Sequence, residues 1–468
     1  MSLVRSMKSI TVEPVLFLYM FCTFMSFPLL QQLAYRKICK EHYNTSACNN
    51  LSDYQNEQNY VQTSTSNWMR YQALALALPS IASSLVLGAW SDRVGRKAIM
   101  ILPPVGNILM NINYMLNVHF FSLNVNYLII GIVIAGTFGG FATTLLSVFS
   151  YMADITDKSH RTLRISILES MVFLGGSVGE LVAGVMLDHS GFMATFGLAL
   201  GLNCCIAAYV TFILPESYFP NGQVSNQRCF LLEHLSTAAK VLFKRREGNS
   251  RLYLLVVLFG AMSVLLLNFG GFNDVIILYC LKEPLHLSSS ILGYFLAEVF
   301  LIRGLGVVLG MPLMTKLLKL SDYIIALLGI TFSCGMFIFF GLAKHKWMMF
   351  AGAVLALGDG LPIPCMRSIM SKCVQPSEQG SMFAAVACLE VLYTLLASLI
   401  FNSVYSATVK WEPGFTFFLQ AGILAIPAAV LVFLYLRQKS SCPYESMDTL
   451  VTAEHTQTPG FSSDPAEA

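Results

Sequence analysis

Along this chain, stretches of about 20 apolar residues alternate with short polar breaks, and none shows the two-residue alternation of a half-buried strand. The apolar stretches lie at 12–30, 72–91, 98–118, 126–150, 165–187, 193–214, 252–280, 290–313, 323–343, 347–370, 379–405 and 414–436. At 1.5 Å of rise per residue, about 20 residues cross a hydrocarbon core roughly 30 Å thick. The pattern therefore predicts an all-α polytopic membrane protein with twelve spanning helices. A transmembrane β-barrel is excluded, because its segments would be about ten residues long and would alternate.

Composition agrees with that reading. Hydrophobic residues make up 55% of the chain, charged residues 12%, and the mean hydropathy is +0.64. A soluble domain of 468 residues would need a far more charged surface. The net charge of +3 is spread by topology and forms no basic stripe, so nucleic acid is not an expected partner. The first apolar stretch lacks a following small-residue cleavage site and is not read as a signal peptide.

Two polar insertions interrupt the series. Residues 31–71 carry the sequons Asn44-Thr45-Ser46 and Asn50-Leu51-Ser52, which predict a glycosylated loop facing a lumen or the cell exterior. Residues 215–251 carry Lys240, Lys244, Arg245, Arg246 and Arg251, which predict a cytoplasmic loop. Most of the 29 Lys and Arg residues then fall on the cytoplasmic side, with both termini there. The chain divides into a cytoplasmic N-terminus (1–11), a six-helix bundle (12–214), the central loop, a second six-helix bundle (252–436) and a tail (437–468) rich in Ser, Thr, Pro and acidic residues, expected to be disordered. Of the 12 cysteines, most sit inside apolar stretches and are expected to pack as small hydrophobes. Cys39, Cys48 and Cys280 occupy the non-cytoplasmic positions where a disulfide persists. No Cys/His spacing suits a metal.

Residues 88–97 read Gly-Ala-Trp-Ser-Asp-Arg-Val-Gly-Arg-Lys and place five charges between two apolar stretches. This segment resembles the major facilitator loop signature G-x-x-x-D-R-x-G-R-R, with Lys97 in place of the last arginine. Beyond it, Val12-Glu13-Pro14, the segments 161–170, 366–372 and 378–390, and above all 401–422 (FNSVYSATVKWEPGFTFFLQAG) resemble solute carrier family 46. The resemblance implies the major facilitator fold, with two bundles rocking about a midplane site, and proton-driven carriage of organic anions. Gly88 would let two helices approach closely and Gly95 would permit a tight turn; Asp92, Arg93, Arg96 and Lys97 would form a charged latch between the halves. Asp154 is expected to meet Arg161 or Arg164. A family-type disulfide from Cys48 would pair with Cys39 or Cys280, since His286 stands where the family has its other cysteine.

Ionisable groups inside spans are costly, so each needs a role. Glu169 and Glu180 lie eleven residues apart and fall on nearly one face of the fifth span. Glu169 matches the glutamate that the family uses for proton coupling; Glu180 and Glu390 are further proton-coupling candidates. Arg367 follows Pro362 and Pro364, which interrupt the tenth span, and a guanidinium there can grip a carboxylate or sulfate. The plainer alternative for Arg367 is a fixed pair with Asp359 or Glu390, although Asp359, eight residues earlier, lies off its face by roughly 80°. Arg303 is a second anion-contact candidate; Glu298, five residues before it, is about 140° around the helix and unsuited to pair with it. Tyr294, Asp274 and Thr137 complete the substrate-site candidates. Thr137 stands where the family's folate transporter has an intramembrane Asp, and Phe269 stands where that transporter has a His.

No phosphate-binding loop is present, so the expected energy source is an ion gradient, with protons as coupling ion and no cofactor. The sequence predicts a non-enzymatic symporter of amphipathic organic anions such as steroid conjugates, exporting from lysosome to cytosol. Folate uptake at the plasma membrane is the alternative, and a non-transporting receptor or scaffold is the reading of another class. Partners are the small-molecule anion and membrane lipid. Tyr444-Glu-Ser-Met447 fits a tyrosine-based sorting signal and favours the lysosomal membrane over the plasma membrane.

Overall fold

The computed structural model describes residues 11–49, 51, 54–156, 161–217, 250–265, 267, 271–282, 284–372 and 379–441. Within its helices, some side chains lie outside that description, among them those of Gly88, Asp92, Arg93 and Glu169. Asn50, Phe269, Tyr444, Met447, the loop 218–249 and the tail from 442 also lie outside it.

The N-terminal half contains α1 (Glu13–His42), α2 (Gln55–Val94), α3 (Arg96–His119), α4 (Leu128–Thr137), α5 (Gly140–Ile155) and α6 (Arg161–Phe212). The C-terminal half contains α7 (Ser250–Leu265), α8 (Phe272–Leu281), α9 (Ser289–Leu305), α10 (Asp322–Gly341), α11 (Lys346–Ala353), α12 (Ala356–Asp359), α13 (Pro362–Lys372), α14 (Gln379–Thr408), α15 (Phe415–Ile423) and α16 (Ala425–Ser441). Among the described residues no strand forms. Eight helical segments are long and apolar enough to cross a membrane, and the pair Lys346–Ala353 and Ala356–Met370, bent by 40°, makes a ninth. The expected span 252–280 is two shorter helices, α7 and α8; the expected spans 165–187 and 193–214 are one helix, α6, counted once among the eight and turning at Gly191 with φ of 74°; and α2 covers the expected span 72–91.

The expected loop 31–71 is mostly helical: α1 continues to His42 and α2 begins at Gln55. Hydropathy missed these extensions because their polar residues are buried against partners. Lys37, 1% exposed, donates to the carbonyls of Phe121 and Leu123. Cys39 and Cys48 form a disulfide across the bend between the two helices, and Cys280 is a buried free thiol; Cys280 is thereby removed as a disulfide partner. The end of the molecule holding this bend is called here the disulfide face. The opposite end, holding residues 88–97, is the motif face.

On the motif face the turn at Gly95 has φ of 107°, a backbone conformation almost confined to glycine. The Glu216 carboxylate packs against it and accepts from the backbone N–H of Arg96 at 2.9 Å, capping the start of α3. Arg96 pairs with Asp154 at 3.0 Å, and Arg164 with Glu13 at 3.1 Å. Asp154 thus meets Arg96, and Arg164, one of its two expected partners, turns to Glu13; the side chain of Arg161, the other, lies outside the described residues. These described pairs all lie inside the N-terminal half, so they brace one bundle, whereas a latch between the halves had been expected.

The halves meet mainly along α6 against α9 and α2 against α14. Glycines set the approach on α6. A Cβ at Gly175 would lie 2.6 Å from the Phe17 carbonyl of α1, and one at Gly184 would strike Ser289 and Gly293 of α9. Such backbone-to-backbone contact is available only to small residues. We expect Gly95→Ala to destabilise the protein by about 1–3 kcal/mol, since it both strains the turn and displaces Glu216. Gly201→Ala, on α6 with nothing near its Cβ position, should be neutral or slightly stabilising; thermal unfolding in detergent compares the two.

Candidate functional site

Two sets of polar residues occupy the interior: a hydrogen-bonded closure between the halves and a group of charges within the C-terminal half. The closure is built from positions four residues apart on α2. Gln62 donates to the Leu278 carbonyl at 3.1 Å, Ser66 to the Asn402 carbonyl at 2.8 Å, and Arg70 to the Ser403 hydroxyl at 2.9 Å. From α1, Gln31 donates to the Asp274 carbonyl at 2.7 Å, and Gln32 accepts from Ser289 at 2.8 Å. The Asp188 carboxylate accepts from the Ser290 N–H at 2.7 Å, at the N-terminus of α9, where a helix favours negative charge. Among the described residues, the hydrogen bonds that cross between halves all lie toward the disulfide face; Ser177 to the Ala297 carbonyl, at 3.0 Å, is the one nearest the middle. This conformation is therefore closed on the disulfide face.

Lys282 sits at the edge of that closure, just beyond α8. It is 5% exposed and donates to Asn59 at 2.8 Å and to the Val409 carbonyl. Burial pushes its ammonium down to about 8, with the Glu412 carboxylate opposing the shift, so it keeps its proton through the acidic range. Asp274 is buried within the same closure, its carboxylate accepting from Ser398 and, at 2.8 Å, from Asn402. Asn402 also accepts from Ser66 of the other half at 3.1 Å. Asp274 was expected to line the substrate cavity; in this conformation it is sealed from it.

The charges in the C-terminal half sort into two pairs. Arg303 of α9 meets Asp359 of α12 at 2.5 Å, their side chains 1% and 0% exposed, and Ser333 of α10 donates to the same carboxylate. Asp359 thus turns to α9 and not to Arg367, which leaves Glu390 of the two partners weighed for that arginine. Arg303 is not open to a solute in this conformation, because the pair is enclosed by three helices. Arg367 of α13 pairs instead with Glu390 of α14, and these side chains stay 39% and 26% exposed. A partly exposed ion pair within an apolar bundle is tolerated only where water reaches it. Both residues lie on the motif-face side of their spans, so an aqueous approach to the pair would come from that face.

The other candidates are scattered. Glu180 is 3% exposed at the contact of α1, α6 and α9. Tyr294 is 48% exposed, and Thr137, also exposed, ends α4 with its hydroxyl donated back to the Val133 carbonyl at 2.8 Å. Asn44 is exposed beside the disulfide. Arg96 and Lys97 are half-buried at the start of α3. Sequence reasoning missed Gln31, Gln32, Gln62, Ser66, Ser398 and Asn402. For Gln62, Ser66, Ser398 and Asn402 the signal was present as polar residues one helical turn apart on α2 and α14, and for Gln31 and Gln32 as an adjacent polar pair on α1, but hydropathy averages them away.

The chain matches the Major Facilitator Superfamily profile over residues 12–389. It is 34% identical over 441 residues to the lysosomal proton-coupled steroid conjugate and bile acid symporter SLC46A3 of Gallus gallus, covering 91% of this chain and 94% of that protein. It is 32% identical over 432 residues to the proton-coupled folate transporter of Rattus norvegicus, covering 90% and 91%. Its fold is similar to that of the human organic anion transporter MFSD10 (TETRAN), with a TM-score of 0.63, 16% identity and coverage of 90% and 98%.

The enclosed pair predicts a test. Removing one member leaves an uncompensated buried charge, so Asp359→Leu should destabilise by about 3–5 kcal/mol. The double variant Arg303→Met with Asp359→Leu should recover most of that loss, as read by thermal unfolding in detergent.

Proposed function

The chain belongs to the major facilitator superfamily and, within it, to solute carrier family 46, and on that premise we propose that it is a proton-coupled symporter of amphipathic organic anions. The observation that carries this reading is the half-exposed pair of Arg367 and Glu390. An arginine offers a planar fork of donors that suits a carboxylate or sulfate in two parallel hydrogen bonds. While Glu390 is ionised it occupies that fork. A proton on Glu390 removes its charge and frees Arg367 for the anion; loss of the proton restores the pair and expels the anion. Cargo and proton are thereby tied to one guanidinium, which is the physical content of symport. Tyr294 provides an exposed aromatic surface for an apolar ring, and Thr137 a neutral polar contact. Glu169 remains a second proton-coupling candidate through its match to the family's glutamate.

Orientation belongs to the same reading. The exposed Asn44 and the Cys39–Cys48 disulfide support a lumenal or exterior disulfide face, with the motif face and both termini cytoplasmic. With its disulfide face closed, the conformation described fits the state that releases cargo exported from a lysosome, the compartment named for the Gallus gallus relative. Steroid-conjugate-like anions are preferred to folate as cargo because Thr137 takes the place of the folate transporter's intramembrane acid.

Transport of labelled steroid sulfate and labelled folate into cells, at about pH 5.5 and about pH 7.4, tests the reading. Arg367→Ala should reduce steroid sulfate transport by at least about tenfold, a loss of roughly 1.4 kcal/mol in transition-state terms. Glu390→Gln should still exchange anion but lose most of the dependence on pH. Wild-type pH dependence in Glu390→Gln, or undiminished transport by Arg367→Ala, would remove the pair from the mechanism.

A further inference from the structure

We propose that Glu180 is a proton checkpoint for closure of the disulfide face, the two halves coming together there only over a protonated Glu180. The inference rests on the reading of the chain as a proton-coupled carrier and adds to it a second titrating site, distinct from the Arg367–Glu390 pair.

Glu180 projects from α6 into a small pocket at the seam between halves. The pocket is lined by Pro28 and Gln32 of α1, Gly184 of α6, and Ser289, Leu292, Gly293 and Leu296 of α9. The approach is close: Gly184 and Gly293 bring the two backbones into contact, and the Glu180 carbonyl lies beside Gly293. Its Oε2 is fully buried with no hydrogen-bond donor, and among the described residues no cation pairs with it. The one polar side chain of α1 in the pocket, Gln32, accepts at its Oε1 from the Ser289 hydroxyl.

The charged groups nearby are committed elsewhere. Arg36, one turn beyond Gln32 on α1, stands over the Phe192 ring at 5.0 Å, with Asp188 as its acidic neighbour. Asp188, two turns along α6, holds the Ser290 N–H. Glu298 on α9 is five residues past Gly293 and thus about 140° around that helix. Asp274 on α8 is held by Ser398 and Asn402.

A pocket whose other polar side chains, Gln32 and Ser289, are bonded to each other, and in which no described cation stands, accepts a carboxylic acid far more readily than a carboxylate. Half the pocket belongs to α9, so it exists only while the halves are together on this face. When they separate, Glu180 meets water and equilibrates with protons on that side. The seam then re-forms from the protonated fraction, which falls about tenfold per pH unit above the ordinary carboxylate range. Closure therefore carries one proton inward with it, whichever anion Arg367 holds. Lys282 keeps its proton at acidic and neutral pH, and Asp188 binds its helix N-terminus as an anion; Asp274 is the other buried carboxyl of the closure, and its contribution is whatever slope persists in Glu180→Gln.

The test needs no substrate. Leu292, 1% exposed in the pocket, is replaced by Cys in a chain cleared of its other free thiols, and modification by a membrane-impermeant thiol reagent is followed from the disulfide side. Trp411→Cys, at a position 65% exposed on the same face, corrects for the reagent's own pH dependence. The corrected rate should rise by up to about tenfold per pH unit as pH is raised from about 5 to about 7. Glu180→Gln should make it slow and flat, and Glu180→Asp should keep the slope. A flat rate in the parent overturns the proposal, as does an unchanged slope in Glu180→Gln. Should Glu180→Gln fail to fold, a flat rate in Glu180→Asp beside a sloped parent overturns it equally. A Glu180-dependent slope in a protein that carries no organic anion would sink the proposed function and leave this inference standing; anion transport with a flat slope would do the reverse.

Discussion

A charge inside hydrocarbon must be matched by an opposite charge, reached by water, or neutralised by a proton, and the interior of this protein is organised around those three outcomes. Arg303 and Asp359 take the first: they are enclosed among α9, α10 and α12 and serve to join those helices. Arg367 and Glu390 take the second, half-exposed on the motif-face side of the C-terminal bundle. Glu180 is left for the third, with no cation beside it among the described residues. One physical rule thereby separates a pair that holds the bundle together from groups that can exchange ions.

The same economy governs the closure. The bonds that cross between halves, among them those from Gln31, Gln62, Ser66, Arg70, Ser177, Lys282, Ser289, Ser290 and Tyr405, are individually weak, a neutral one contributing about 1 kcal/mol net. None alone fixes the conformation, and all must release together for α2 to leave α14 and α6 to leave α9. Within each half the contacts are of another kind: α6 glycines seated on α1 carbonyls, and a large continuous apolar core through the C-terminal half. Rigid bundles joined by a polar, collectively reversible seam are what alternating access requires.

In the turn at 88–97 the described contacts of the motif fall within one bundle. Gly95 provides the left-handed turn, and Arg96 lies where the signature suggested. Yet its carboxylate partners, Asp154 and the helix-capping Glu216, belong to the same bundle. The latch described braces the N-terminal half, which is compatible with a motif face standing open.

Length and periodicity alone determined the all-α membrane architecture, because a backbone crossing hydrocarbon must satisfy its own hydrogen bonds and only long apolar helices or closed barrels do so. The positions of Glu180, Arg303, Asp359, Arg367 and Glu390 as charges needing an explanation were equally legible, since any ionisable residue in an apolar run stands out. Helical offset even excluded a Glu298–Arg303 pair. Which charge met which was decided only by tertiary structure: Arg303 found Asp359 on a helix more than fifty residues away, a neighbour that no spacing along one helix encodes. The helical extensions at 31–42 and 55–71, the choice of Cys39 over Cys280 for Cys48, and the placing of Asp274 in the closure also came from packing between helices. Sequence reports the cost of burying each group, whereas the partner that offsets it comes from elsewhere in the chain and is known only once the helices have met.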